Sequence, residues 1–304
     1  MTTVHVACAA EGRAYVAHSA VMLHSLLERS DGLGVEVHYL HGPRFDPADA
    51  RLLRAMVEAG GGSIEFLEVP DPDLAGLPVT DQFTKAMWYR IFLPELLPDL
   101  ARVLYLDADT LIVDSIAPLW ATDLTDAYLA AVTNVFQSNH VHRPAELGLA
   151  GPHVYFNSGV LLMNLADMRR DGCTAALREC AVGHGDRLEW PDQDALNLVL
   201  GTRRVELHPR WNCMNAVLRF SAAVEVFGAA AVEEARRSPA IRHFEGPAEN
   251  KPWHYLCEEN LRDLYFEHRR ATPWPDCEID GASFSNSLRR RVRALRSARR
   301  AVSA

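Results

Sequence analysis

RVLYLDADTLIVDSIAPLW, residues 102–120, is the stretch on which the fold turns. Arg102 to Leu106 is a short, strongly apolar run of the kind that forms a buried strand. It ends at Asp107, and Asp109 follows two positions later. In an extended chain, side chains two apart lie on one side, so the two carboxylates should converge where the buried strand stops. Like charges at that separation repel, and a cation between them is the usual resolution. Hard oxygen ligands favour Mg²⁺ or Mn²⁺, and an added imidazole shifts the preference to Mn²⁺.

The residues before this stretch alternate between strand and helix signals. Val4–Cys8 reads as a buried strand, and Tyr15–Leu27 carries apolar residues at helical spacing (Val16, Ala20, Leu23, Leu27). Val35–Leu40 is a second strand. A helix is then expected with Asp46 as its N-cap, Pro47 in its first position, and Leu52, Leu53, Met56 and Val57 on the buried face. Gly60-Gly61-Gly62 ends it, and Ile64–Val69 returns as a third strand. Such alternation with short connections predicts an α/β fold with a mostly parallel sheet and right-handed crossovers. Ligands of these sheets sit at the carboxyl ends of the strands, which is where Asp107 and Asp109 fall.

Trp88–Leu97 reads as a further helix. The second half offers strands at Leu129–Thr133 and Ser158–Met163, with helices from Leu165 to about Val182 and from Pro191 to Leu200. No repeat or linker interrupts the chain before about residue 275. The expected organisation is therefore one catalytic domain, 1–275, and a basic tail, 276–304.

The net charge of −9 is unevenly distributed. Seven arginines and no acid follow Gly281, so the rest of the chain carries −16. An acidic body argues against nucleic acid as a partner, since that requires a broad positive face. No apolar stretch is long enough to span a bilayer, and MTTVHVACAAEGR lacks the pattern of a signal peptide. The body is accordingly expected in the cytoplasm. Six scattered cysteines, without a CxxC pair or zinc spacing, read as free thiols.

Two enzyme classes use an apolar strand followed by Asp-X-Asp. Aspartate-nucleophile phosphatases carry DxDxT, and Asp107-Ala108-Asp109-Thr110 fits it, with Asp107 as nucleophile and Asp109 as general acid/base. Their motif usually sits on an early strand with a later paired-acid loop. Here it follows three strands, and no such pair is evident.

The other class fits more of the chain. WYRIFLPELLP (88–98), RVLYLDADTLIVDSIAPLW (102–120), YFNSGVLLMNL (155–165), WPDQDALN (190–197) and RHFEGPAENKPWH (242–254) occur in one order. Together they resemble the retaining glycosyltransferases that include bacterial lipopolysaccharide α-galactosyl- and glucosyltransferases and glycogenin, over roughly residues 4–275. The resemblance implies a Rossmann-like nucleotide-diphospho-sugar transferase fold with a single DxD metal site. Asp107, Asp109 and His243 would bind Mn²⁺, or Mg²⁺, which holds the diphosphate of a nucleotide sugar. Lys251 would contact the same phosphates, and Gly246 would let the backbone approach them. Ala7, Arg90, Ala108 and Asn157 fall at donor-binding positions, and Asp192 and Gln193 at the sugar and its anomeric carbon. Each has a plainer reading: His243 as a core histidine, Asn157 as a backbone partner, Asp192 as a first-turn helix acid. A non-catalytic sugar-nucleotide-binding relative would keep the metal residues, but Lys251 and Gln193 beside them speak for catalysis. Gln193, an uncharged amide, is a poor nucleophile. Same-face attack is therefore expected, with the departing phosphate oxygen taking the acceptor proton.

The match departs from the family at the first strand, where Ala9 replaces an acid and Gly12 an aromatic residue. Asn134 replaces an aspartate of some relatives, and Gly246 to Lys251 is a longer spacing. UDP is the expected donor nucleotide, carrying galactose or glucose, and the acceptor is a saccharide, glycolipid or other hydroxyl compound. The tail segment LRRRVRALRSARRAV, 288–302, spaces Leu288, Val292, Leu295 and Val302 near one helical face among arginines. This is the pattern of a helix lying on an anionic membrane surface, and it places the enzyme at the inner face of the cell membrane.

Overall fold

A computed structural model describes residues 2–30, 32–80, 84–276 and 278–290. Ten strands are present among them: β1 (Thr3–Ala9), β2 (Gly34–His41), β3 (Ser63–Glu68), β4 (Arg102–Leu106), β5 (Thr110–Ile112), β6 (Leu129–Ala131), β7 (Val160–Asn164), β8 (Arg204–Glu206), β9 (Cys213–Met214) and β10 (Ile241–His243). Seven form one sheet in the order β3-β2-β1-β4-β7-β6-β8, and β5-β10-β9 form a second. β3, β2, β1 and β4 run parallel, whereas β7 is antiparallel to both β4 and β6. The sheet is thus mostly parallel, as the first half of the sequence predicts. Strand order reverses at β1, with β2 on one side and β4 on the other, and such switch points are where ligands of α/β sheets bind.

Helices cover both faces. On one side, α1 (Arg13–Glu28) and α2 (Pro47–Ala59) bury Val16, Leu23, Leu53 and Val57 against Val6, Val37 and Leu104. Asp46 caps α2 through Ala48 N at 2.8 Å, with Pro47 in the first turn, and Gly60 ends the helix, all as read from the sequence. On the other side, residues 85–96 and the helices α3 (Leu165–Arg170), α4 (Cys173–His184) and α5 (Pro191–Leu200) close over Ala7, Tyr105, Leu161 and Met163. A further helix, α6 (Arg262–Arg270), packs on α1, with Tyr265 beside Trp253.

Leu52, expected on the buried face of α2, is 41% exposed, and four expected elements also need correction. Trp88–Leu97 is not one α-helix: Lys85–Phe92 is 3₁₀, and only Leu93–Leu96 is α-helical. Pro94 has no N–H for the Arg90 carbonyl, which accepts from Leu93 N instead. The expected helix from Leu165 breaks at Gly172, whose φ of 67° lies in the left-handed region, and resumes as α4. Leu129–Thr133 is strand only to Ala131, Thr133 keeping one isolated bridge to Phe156. Asp107-Ala108-Asp109 is a turn rather than extended chain: Thr110 N and Oγ1 both donate to Asp107 O.

The tail sequence 288–302 lies largely outside the described residues. The chain leading to it rests on the domain, where Asp280 exchanges backbone hydrogen bonds with Trp253 O and Tyr255 N. Cys8, Cys173, Cys180, Cys213 and Cys257 are free thiols; Cys277 lies outside the described residues. Among the described residues, no helix is long and apolar enough to cross a membrane.

Candidate active site

Three segments meet where β4 ends. β4 and β7 pair antiparallel with Leu106 opposite Val160, so the residues entering β7 lie beside the residues leaving β4. Asp107 N donates to Gly159 O at 2.8 Å, which fixes that junction. β10 pairs antiparallel with β5, His243 opposite Thr110, and brings the imidazole to the same place.

Asp107, Asp109 and His243 consequently offer ligand atoms that all lie within 4.8 Å of one another. His243 Nε2 is 3.2 Å from Asp109 Oδ1 and 3.9 Å from Asp107 Oδ2. Three lone-pair donors pointed at one spot are mutually repulsive until a proton or a cation is placed among them. Two carboxylate oxygens and one imidazole nitrogen suit a divalent ion, Mn²⁺ over Mg²⁺ by the nitrogen. The residues fit a metal.

Basic groups brace these carboxylates. The buried Arg90 guanidinium donates to Asp107 Oδ1 at 2.9 Å and to Ser158 O at 2.5 Å, and lies over the Tyr105 ring. Burial opposes its charge, but Asp107, Tyr105 and Asp192 together raise its pKa. Lys251 Nζ bonds Asp109 Oδ2 and Phe244 O. Burial alone would push Asp109 up, but Lys251 and His243 outweigh it and hold the carboxyl well below its usual range. Gly246 has φ +90°, and a Cβ there would stand 2.9 Å from Asn250 Nδ2.

The amino end of α5 faces the same junction. Gln193 Oε1 accepts from Ser158 N (3.0 Å), Ser158 Oγ (3.3 Å) and Asn157 Nδ2 (3.1 Å), while its Nε2 donates to Tyr155 OH. Tyr155 in turn donates to Asp194, a fully buried carboxylate also held by Arg143. Asp192 is buried, and its Oδ2 lies 3.4 Å from Arg90 Nε without a hydrogen-bond partner. Burial raises its pKa to about 6, with Asp107 adding to the rise and Arg90 opposing it.

Nine of the eleven residues singled out from the sequence thus gather in one connected cluster: Arg90, Asp107, Ala108, Asp109, Asn157, Asp192, Gln193, His243 and Lys251. Gly246 lies in the turn before Lys251. Ala7 stands apart, mid-strand in β1, its methyl buried and its backbone paired with His38 and Tyr105. Asn212, Gly159 and Asp194 were not singled out. Gly159 carried a signal, a lone glycine entering an apolar strand, which often marks a close approach. A Cβ on Gly159 would lie 2.8 Å from Asp107 Oδ2 and 2.9 Å from His243 Nδ1. Where the phosphatase reading would place a nucleophile, Asp107 has its Oδ1 held by Arg90 and Tyr105 and its Oδ2 turned toward His243 Nε2 at 3.9 Å.

Residues 6–257 match the family model for glycosyl transferase family 8. General stress protein A of Bacillus subtilis (strain 168) is 32% identical over 274 residues, covering 88% of this chain and 93% of that protein. Lipopolysaccharide glucosyltransferase WaaO of Escherichia coli (strain K12) is 26% identical, covering 88% and 78% respectively. Among solved structures, the galactosyltransferase LgtC in complex with donor and acceptor sugar analogues superposes with a TM-score of 0.78 at 28% identity, covering 89% of this chain and 96% of that one.

Proposed function

The chain belongs to glycosyl transferase family 8, and we propose that it moves galactose or glucose from a UDP-linked donor to a hydroxyl of a saccharide or glycolipid, using Mn²⁺ held by Asp107, Asp109 and His243. Membership makes it a retaining hexosyltransferase with a nucleotide-sugar donor and a saccharide acceptor. The observation that carries the finer reading is the convergence of Asp107, Asp109 and His243 Nε2 at the end of β4, with Lys251 against Asp109. A divalent ion bound there supplies Lewis acidity for the departing nucleoside diphosphate.

The chain's own groups divide the remaining work. Arg90 fixes the Asp107 carboxylate, and Lys251 places a positive charge where the diphosphate would lie. Asp192 Oδ2, a buried acceptor lacking a donor, is suited to a sugar hydroxyl, which would satisfy it. Gln193 Oε1 already accepts from three donors, which leaves it little electron density for attack on the anomeric carbon. Same-face transfer follows, with Gln193 lending its dipole to the developing oxocarbenium charge and the leaving phosphate oxygen taking the acceptor proton.

Sugar identity rests on the relatives, whose names include both glucosyl- and galactosyltransferases of lipopolysaccharide. The acidic body remains a reason to exclude nucleic acid as a partner. The basic tail supports attachment to an anionic membrane surface at the inner face of the cell membrane: Phe284 is 89% exposed and Leu288 57%, four residues apart in the helical stretch 284–290, beside Arg289 and Arg290. The test of function is UDP release from UDP-galactose and UDP-glucose. Release from either that requires Mn²⁺ and stops with chelator is expected; equal release with chelator present would count against the metal reading.

A further inference from the structure

Beneath the metal-ligand imidazole runs a chain of side-chain amides that ends at the residue facing the sugar. His243 Nδ1 meets Asn212 Oδ1 at 2.9 Å, Asn212 Nδ2 donates to Asn157 Oδ1 at 2.8 Å, and Asn157 Nδ2 donates to Gln193 Oε1 at 3.1 Å. Asn212 is fully buried at the end of a 3₁₀ turn, directly before β9, and β9 pairs with β10 so that Met214 stands opposite His243.

The direction of every bond in this chain is determined. Gly159 N–H can only donate, and it donates to Asn157 Oδ1 at 3.0 Å. Asn157 oxygen therefore faces Asn212, which must answer with its NH₂ and so turns its own oxygen to His243. An amide oxygen cannot donate, so the proton of the neutral imidazole sits on Nδ1. The Nε2 lone pair is left pointing at Asp107 and Asp109. At the other end Ser158 N–H, again an obligate donor, fixes Gln193 Oε1 as the acceptor for Asn157. Asn157 then uses both its lone pairs, and its NH₂ reaches Gln193 and, at 3.5 Å, Asn134.

We propose that Asn212 is a positioning residue for transfer: it sets the His243 tautomer that binds the metal and, through Asn157, ties that ligand to the orientation of the Gln193 amide. The inference rests on His243 acting as a metal ligand. It assigns the two ends of the relay to separable properties. The Asn212 oxygen governs metal affinity, because outer partners of a ligating imidazole fix its tautomer and ring plane. The Asn212 NH₂ governs turnover, because without it Asn157 Oδ1 keeps only the Gly159 N–H, and the Asn157 amide is held less firmly in the plane from which its NH₂ donates to Gln193 Oε1.

The experiment compares Asn212→Ala and Asn212→Asp with the unmodified chain. Mn²⁺ binding is followed by loss of the free-ion EPR signal in the presence of UDP, and UDP release is followed from UDP-galactose and UDP-glucose. Asn212→Ala removes both ends of the relay and should weaken Mn²⁺ binding about 10- to 100-fold. Asn212→Asp keeps an acceptor for Nδ1 but no donor for Asn157. It should hold Mn²⁺ close to the unmodified chain while releasing UDP about tenfold more slowly at an unchanged donor KM. A purely structural asparagine would instead lower thermal stability and impair both readouts alike in both variants. Unchanged Mn²⁺ affinity in Asn212→Ala, or Asn212→Asp losing Mn²⁺ as Asn212→Ala does, overturns the inference. If Asn212→Ala does not fold, Asn212→Asp decides: retained Mn²⁺ with slowed release supports the relay, and unchanged release refutes it. Failure of the unmodified chain to bind Mn²⁺ would remove the metal reading itself, and this inference with it.

Discussion

Gly159 lies flush against His243: a Cβ at this position would stand 2.9 Å from Nδ1 and nearer still to Cε1. The same Cβ would press on Asp107 Oδ2 at 2.8 Å, so one methyl group disturbs two of the three convergent ligands. Gly159→Ala should therefore fold, since nothing in its backbone demands glycine, but lose about tenfold or more in Mn²⁺-dependent UDP affinity. Circular dichroism and calorimetry check the two halves of that statement. Unchanged affinity would show that the imidazole and carboxylate have slack, and that their placement is not tuned for an ion.

Asp192 sets a pH limit on transfer. Its ionised form accepts a sugar hydroxyl much more strongly and carries the charge that favours the oxocarbenium-like transition state, and burial, reinforced by Asp107 and opposed by Arg90, raises its pKa to about 6. Lowering the pH through that value protonates the free enzyme. kcat/KM should then fall on the acid side with a slope near one, about tenfold per pH unit, from an inflection near pH 6. Asp192→Asn should start from a much lower plateau and show no inflection there. A profile flat through pH 6 in the unmodified enzyme would deny Asp192 a role in its ionised form.

His18 makes a separate, structural contribution. It is buried in α1, stacks on Trp253 at 3.5 Å between centroids and bonds Tyr265 OH at 2.7 Å. Burial, with Arg269 adding, lowers its pKa from 6.5 to about 3. The unfolded chain thus takes up a proton below pH 6.5 that the folded chain refuses, and stability is lost as pH falls from 6.5 toward 3. The loss from this group is about 1.4 kcal/mol per pH unit. Urea unfolding just above pH 6.5 and near pH 5 should show a steeper fall for the unmodified chain than for His18→Gln. Equal slopes would mean that His18 is protonated in the fold.

The tail can be separated from catalysis, provided the cut falls in the right place. Removing the whole expected tail, 276–304, would take away Asp280, which is bonded to Trp253 O and Tyr255 N, just after Lys251. Deleting 288–304 spares that contact. This shorter truncation should abolish sedimentation with vesicles containing anionic phosphatidylglycerol while UDP release continues. Continued sedimentation would rule the tail out as a membrane anchor.

The strands and the place of the acidic pair were legible because their signals are local, whereas the turn that carries the pair was read as extended chain. An apolar run ending in Asp107 reads as strand and edge whatever surrounds it, and Asp46-Pro47 followed by three glycines brackets α2 with capping chemistry. His243 and Lys251 became legible only as parts of an ordered set of motifs, since β10 is three residues long and an isolated buried histidine has no sequence signature. Asn212, Gly159 and Asp194 act through neighbours distant in the chain: Asn212 on His243, Gly159 by leaving space, Asp194 through Tyr155. The errors were also local. Pro94 and Gly172 sit within helical patterns, and periodicity does not register a missing N–H or a left-handed backbone.

The most direct measurement of the central claim is calorimetric titration of UDP, GDP, ADP and TDP into the chain, with Mn²⁺ and with chelator. Binding of UDP alone, lost with chelator and lost in Asp109→Asn, is the predicted result. Tight UDP binding that ignores the chelator, or no binding of any of the four, would contradict a metal-held UDP-sugar at Asp107, Asp109 and His243.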